Sequence, residues 1–341
     1  MKSRTMNTYF NRDVSIRDRK IVPNLLAAPM AGFTHVAFRE LISEFGGFGL
    51  MFTEMCSAKA LPSENPRVSP VFKWREIELP YLSCQIFGAD PGVMAEAARR
   101  IESEGFFGVD INMGCCVAAI CKQGAGAALL KDPERAIRIV AQVRQAVSIP
   151  VTVKFRTGWS DSPVPARDLT AGLAEAGADA LIFHPRIAPD RRLRPPKWDY
   201  IRIVKQTADI PVFGNGEVFS EDDCVRMMET TGCNGVAVGR MALARPWIFA
   251  QWARGFEPEE DIYQKCAHRM LDLLEKYFEP TTALRRYKKW IGYFAANFTY
   301  GHSFAALVRR AGDSGQARRA LDKFFRDSPQ LNSLPNMNLF I

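Results

Sequence analysis

Long apolar runs are missing from this sequence. The longest clean one, Leu25 to Phe33, contains Pro29 and Gly32, far from the ~18 apolar residues that a membrane-spanning helix needs. The opening stretch MKSRTMNTYFNRDVSIRDRK is charged and has no apolar core, so neither a membrane anchor nor a secretory leader is expected. A disulfide framework is missing too. The 8 cysteines follow no repeated spacing, which points to reduced thiols and a cytoplasmic protein. Cys115, Cys116 and Cys121 form no CxxC pair and have no nearby histidine, so no metal or iron–sulfur site is expected. Nor does a GxGxxG follow the first apolar run, which weighs against a dinucleotide-binding Rossmann sheet.

What is present is the balance of a globular protein: 341 residues, 47% hydrophobic and 24% charged. That length suits one barrel-sized domain with an appendage. The net charge of +8 is unevenly placed. Residues 281–330 hold ten Lys or Arg, among them Arg285, Arg286, Lys288 and Lys289, against three Asp. Residues 185–197 hold Arg186, Arg191, Arg192, Arg194 and Lys197 against Asp190 alone. Basic patches at two places favour a polyanionic partner.

From residue 25 to about 250, short apolar runs alternate with amphipathic stretches of helical length. Strands are expected at Leu25–Ala28, Leu50–Thr53, Tyr81–Phe87, Gly108–Asn112, Pro150–Lys154, Ala180–His184, Pro211–Gly214 and Gly235–Val238. The segment PERAIRIVAQVRQA (133–146) reads as a helix capped by Asp132 with Pro133 at its first position. Strands alternating with helices imply parallel βαβ units, and this number of them fits an α/β fold of the (β/α)8 TIM-barrel type. After about 258 the pattern turns helical, with stretches at 260–278, 282–298 and 317–327. The expected organisation is a catalytic barrel over 1–254 and a small C-terminal helical domain over 255–341.

In such a barrel, chemistry sits where the strands end at the C-terminal rim. The first strand ends in Ala28-Pro29-Met30-Ala31-Gly32, a turn where backbone can approach a flat ligand. Gln85 and Asn112 supply amide donors and acceptors to ring edges. Lys154, on the same strand face as Thr152 and Arg156, is costly inside a barrel unless paired. Its alternatives are a structural ion pair or a cation beside the N1/O2 edge of a reduced flavin. His184 ends the sixth strand, where it is either a core histidine or a ligand of the same flavin. Gly214-Asn215-Gly216-Glu217 and Gly239-Arg240 follow the seventh and eighth strands, the usual place for a phosphate in this fold. Cys115, Cys116 and Cys121 lie in MGCCVAAICKQGAGAALL, either as small buried thiols or as a displayed thiol that serves as a general acid.

These segments together resemble the tRNA-dihydrouridine synthase family. The matching stretches are APMAGFTHVAFR from Ala28, TEM (53–55), QIFG (85–88), INMGC (111–115), GAGAALLKDP (124–133), VTVKFRTGW (151–159), GNGEV (214–218) and VAVGRMALARPWIF (236–249), in the family's order. ALRRYKKWIGYF (283–294) is similar to the family's RNA-binding helices. The resemblance implies FMN held by the backbone of Pro29 and Met30, by Gln85, Lys154, His184, Asn215, Gly216 and Glu217, and by Gly239 and Arg240 at the phosphate. It implies NADPH as reductant and tRNA, or another RNA, as partner. A flipped-out uridine would take hydride from flavin N5 at C6 and a proton from Cys115 at C5, with Asn112 orienting the base. Arg186, Arg191, Arg192, Arg285, Arg286, Lys288 and Lys289 would grip RNA phosphates.

The sequence departs from the family's pattern in three places. Its usual GCP is Gly114-Cys115-Cys116, which frees the backbone at Cys115 and offers two adjacent thiols for one role. His35 stands where the family has aspartate. HGRTR becomes His184-Pro185-Arg186-Ile187-Ala188. These departures motivate a second reading, an RNA-binding flavoprotein without turnover. A third, a flavin barrel reducing a free pyrimidine, leaves the basic helices without a purpose.

Overall fold

The computed structural model describes residues 8–190 and 194–340. Its chain divides into two compact units, 1–29 with 48–238 and 30–47 with 239–341.

The first unit opens with a hairpin of β1 (Val14–Ile16) and β2 (Arg19–Ile21). Barrel strands follow: β3 (Leu25–Ala27), β4 (Leu50–Phe52), then the short β5 (Cys56–Ser57), β6 (Leu82–Phe87), β7 (Gly108–Met113), β8 (Val151–Gly158), β9 (Ala180–Ile187), β10 (Val212–Asn215) and β11 (Gly235–Val238). The order β4-β3-β11-β10-β9-β8-β7-β6 is closed by a β4–β6 pairing, and these pairs are parallel. An eight-stranded parallel barrel results, with β5 added alongside β6. Each barrel strand lies where an apolar run predicted it. β8 and β9 continue past Lys154 and His184 because their pairing persists, with an irregularity at Arg156/Gly158, to Gly158↔Ile187.

The hairpin carries no sequence signature but has a clear physical role. Val14, Ile16 and Ile21 cluster with Leu26, Phe107 and Ala180, and Arg19 donates to the Phe107 carbonyl at 2.7 Å. Phe107 and Ala180 stand at strand starts, so the hairpin closes the N-terminal end and leaves the opposite rim for chemistry. Helices of this unit include α2 (Pro91–Ser103), α3 (Ala118–Cys121), α4 (Pro133–Ala146), α5 (Val164–Glu175), α6 (Asp199–Thr207) and α7 (Glu221–Thr231); α1 belongs to the other unit. The predicted cap of α4 is present, with Asp132 accepting from Arg135 N at 3.1 Å and Pro133 in first place.

The second unit comprises α1 (Val36–Phe45), α8 (Arg240–Ala244), α9 (Ile248–Arg254), α10 (Ile262–Tyr277), α11 (Pro280–Phe294), α12 (Gly301–Arg309) and α13 (Ser314–Arg326). Its core is aromatic: Trp290 stacks on Phe294 at 4.6 Å and Phe304 on Phe324 at 4.0 Å. α1 packs on α10 and α8 on α11, so residues 239–254 group with the helices that follow them. His35 caps α1: its Nδ1 accepts from Phe38 N at 3.3 Å, the task an aspartate performs elsewhere. Burial, and then Arg286, Arg39 and Lys289, push its pKa well down, so it caps as the neutral ring. Among the described residues no helix is long and apolar enough to cross a membrane.

Candidate active site

Parallel register places Gln85, Asp110 and Thr152 in one row across β6, β7 and β8, with Asn112 and Lys154 paired two residues further along. Alternation sends Asp110 and Asn112 to the same face of β7. Thr152 Oγ1 donates to Asp110 Oδ1 at 2.6 Å and Gln85 Nε2 to Asp110 Oδ2 at 2.6 Å. Asn112 Nδ2 then donates to Gln85 Oε1 at 3.0 Å. Asn112 Oδ1 accepts from the backbone N–H of Gly114 at 3.2 Å and of Cys115 at 3.0 Å. A continuous polar chain therefore runs from the barrel interior to the thiol loop. Burial pushes the Asp110 carboxyl up to about 6, held back by the hydrogen bonds from Thr152 and Gln85 and by Lys154. Asp110 was missed in the sequence; its placement two residues before Asn112 on an otherwise apolar strand was the available signal.

The Lys154 ammonium has no ion pair and no hydrogen bond among the described residues, so the structural ion-pair alternative finds no direct partner. Burial, then Arg156, pull its pKa down to about 8, against the pull of Asp110 and Cys115. Its ammonium stays charged at neutral pH. A buried cation on a barrel strand whose carboxylate neighbour acts on it without a direct ion pair fits a ligand carrying negative charge.

Cys115 is half-buried, and burial raises its pKa, opposed by the Val117 backbone and Arg156. It is thus a protonated thiol at neutral pH. Its carbonyl accepts from Ala127 N at 2.8 Å, and Gly126, at φ +62°, leaves no room for a Cβ beside it. Those contacts pin the loop so that the thiol's position is fixed by backbone rather than by the missing proline. Cys116 and Cys121 are also half-buried, and Cys121 Sγ lies 3.5 Å from the Cys115 carbonyl.

After β10 the chain makes a strained turn. Gly216 (φ +120°) lies against the His184 ring, where a Cβ would meet Cδ2 at 2.7 Å, and Glu217 is left-handed at φ +52°. Asn215 Nδ2 donates to Ala237 O at 2.7 Å and Trp198 Nε1 to Gly216 O at 3.0 Å. Gly214 has a different reason: its missing Cβ makes room for Met227 of α7. Pro29 ends the first unit's opening segment; Met30, Gly239 and Arg240 belong to the second unit, where the Arg240 guanidinium lies over the Phe340 ring at 5.9 Å.

Arg186, expected to face RNA, is only 4% exposed. It is paired with Glu217 and donates to Arg194 O at 2.9 Å. This corrects the surface placement: the guanidinium braces the strained turn after β10 through Glu217, because a buried charge needs its carboxylate. Arg191 and Arg192 lie outside the described residues. Arg285 is exposed, and Arg286 is half-buried over Phe278 at 4.6 Å. Lys288 and Lys289 line a cleft of about 430 Å³ with Arg309, His302, Tyr293 and Phe33.

The family model described as "Dihydrouridine synthase (Dus)" matches residues 25–327. tRNA-dihydrouridine synthase B of Pseudomonas putida is 33% identical over 314 residues, 90% of this chain and 93% of that one. A probable tRNA-dihydrouridine synthase of Mycobacterium tuberculosis is 36% identical over 307 residues, 84% of this chain and 77% of that one. Among solved structures, histamine dehydrogenase from Rhizobium sp. 4-9 superposes with TM-score 0.57 at 14% identity, over 79% of this chain and about half (51%) of that one. The old yellow enzyme of Trypanosoma cruzi does so at 0.55 and 10% identity, over 80% of this chain and 98% of that one. These two show the barrel fold alone; the family match and the curated relatives show that this chain belongs to the dihydrouridine synthase family.

Proposed function

We propose that this chain reduces uridine to 5,6-dihydrouridine in tRNA, with FMN as its bound flavin and NADPH as the reductant. The observation that carries the reading is the placing of Lys154, whose ammonium has no ion pair, on a strand beside the hydrogen-bonded Gln85–Asn112 amides, with a protonated Cys115 in the loop that Asn112 holds. When bound, FMN supplies hydride for C6 of the uracil ring. Lys154 would hold the N1/O2 edge of the flavin ring and would supply positive charge there. Gln85 would hold a ring edge, and Pro29, His184, Asn215, Gly216 and Glu217 would hold the rest of the flavin from the strand ends of the first unit. Asn112 orients the base, and the Cys115 thiol delivers the proton to C5. Its raised pKa keeps that proton in place until it is needed. Arg285, Arg286, Lys288 and Lys289 supply contacts to RNA phosphates, with shape rather than base sequence selecting the target.

Nucleoside mass spectrometry of tRNA and ribosomal RNA from cells with and without this gene tests the reading. Loss of dihydrouridine from tRNA, restored by the wild-type gene and not by Cys115→Ala, is expected. Dihydrouridine unchanged in every RNA class, in a strain lacking other members of the family, overturns it.

A further inference from the structure

The polar chain at the rim has a direction. Asp110, as a carboxylate, can only accept, and it takes its hydrogen bonds from Thr152 and from Gln85 Nε2. Gln85 must therefore turn its oxygen toward Asn112, which donates through Nδ2. Asn112 in turn must point its oxygen at the Gly114 and Cys115 N–H groups, which occupy both of its lone pairs. One hydrogen-bonding capacity of Asn112 remains unused: its second N–H. The residue is 8% exposed, and that N–H is the one side-chain hydrogen-bonding group it has left for a ligand.

We propose that Asp110 is a positioning residue that, together with the Gly114 and Cys115 N–H groups at the other end, fixes the polarity of this amide chain, so that Asn112 meets a bound pyrimidine as a donor only and reads the carbonyl oxygen of uracil against the amino group of cytosine. The inference rests on the uridine reduction proposed above and names the element behind its base choice. Uracil carries an acceptor at C4 and cytosine a donor. A donor facing a donor in a water-poor site leaves both unpaired, and sites built on such contacts discriminate by at least ~100-fold. Asp110 accepting at one end and the Gly114 and Cys115 N–H groups donating at the other commit the amides between them to this one orientation, and removing the acid releases one of the two ends.

The test uses the full-length protein and two transcripts of one tRNA, with uridine or cytidine at the reduced position, compared as substrate and as competitor. The wild type is expected to prefer the uridine transcript. Asp110→Asn can donate as well as accept, so the preference should shrink by ~10-fold or more, beyond any general loss of turnover. Asn112→Asp places an acceptor at the same point and should shrink it too, which keeps the test alive if Asp110→Asn does not fold. Thr152→Val leaves the carboxylate in command of the chain and should leave the ratio unchanged. If Asp110→Asn and Asn112→Asp lower turnover while the ratio between the two transcripts stays at the wild-type value, the network is only structural and the inference is overturned, while uridine reduction stands. A wild type that binds both transcripts and reduces neither overturns the uridine reading itself.

Discussion

Lys154 is a residue whose place in the fold costs stability. Its folded pKa is about 8, below the ordinary 10.5, so the charged form is disfavoured by folding. The stability it contributes is present above pH 10.5 and is lost as pH falls through about 8. Lys154→Met should therefore raise the Tm of the cofactor-free protein at pH 7, by about 2–4 °C if ~1 kcal/mol is recovered, while weakening FMN binding at least ~10-fold. Thermal melts and flavin titration measure both; a lower Tm would mean that the ammonium has a structural partner. Asp110 works in the opposite direction. Its folded pKa is raised from 3.8 to about 6, so the stability it contributes is complete below pH 3.8 and is lost as pH rises through about 6. Asp110→Asn should flatten that part of the pH–stability curve. Lys154 was legible in the sequence because a lysine amid Val151, Val153 and Phe155 needs a reason. Arg186 was not placed correctly, because its charge reads as surface until Glu217 is seen beside it.

Elements were legible where hydrophobic periodicity was long enough to carry information. The barrel strands appeared as apolar runs, and α4 announced itself through Asp132 and Pro133. β1 and β2, at 3 residues each, are too short to show alternation. α12 hides behind Gly301, whose missing Cβ lets the chain pass the Ala295 carbonyl, 1.9 Å from where that atom would sit. The turn after β10 shows the limit from another side: GNGEV signals a turn but not that Gly216 must seat the His184 ring. Gly216→Ala should cost about 1–3 kcal/mol from the left-handed backbone alone and displace His184, seen as lower Tm together with weaker flavin binding. If flavin binding is unchanged, His184 does not serve the cofactor. At the entry to α1, His35→Ala should remove a cap and cost about 0.5–2 kcal/mol, whereas His35→Asp should keep it. His35's depressed pKa means its share of stability is present above pH 6.5 and is lost as pH falls through the lower folded value, so the wild type should lose more stability on acidification than His35→Asp does. Denaturant unfolding at pH 7 and pH 5 checks both statements.

For the molecule as a whole, the net charge of +8 and the lysine and arginine cluster of the helical unit set the expectation for RNA. If several phosphates are neutralised, affinity for tRNA should fall ~10-fold or more between 50 and 200 mM salt, and Lys288→Glu with Lys289→Glu should lower both the affinity and its salt slope. A salt-insensitive interaction would remove the helical unit from the account. The most direct measurement joins all three scales: purified protein, NADPH and an unmodified tRNA transcript, with dihydrouridine quantified by nucleoside mass spectrometry for the wild type, Cys115→Ala and Cys116→Ala. Dihydrouridine from the wild type and from Cys116→Ala, with a loss of ~100-fold or more in Cys115→Ala, is the predicted result. Undiminished reduction by Cys115→Ala would contradict the assignment of the acid, and a flavin-loaded wild type that leaves every uridine unreduced would contradict the account itself.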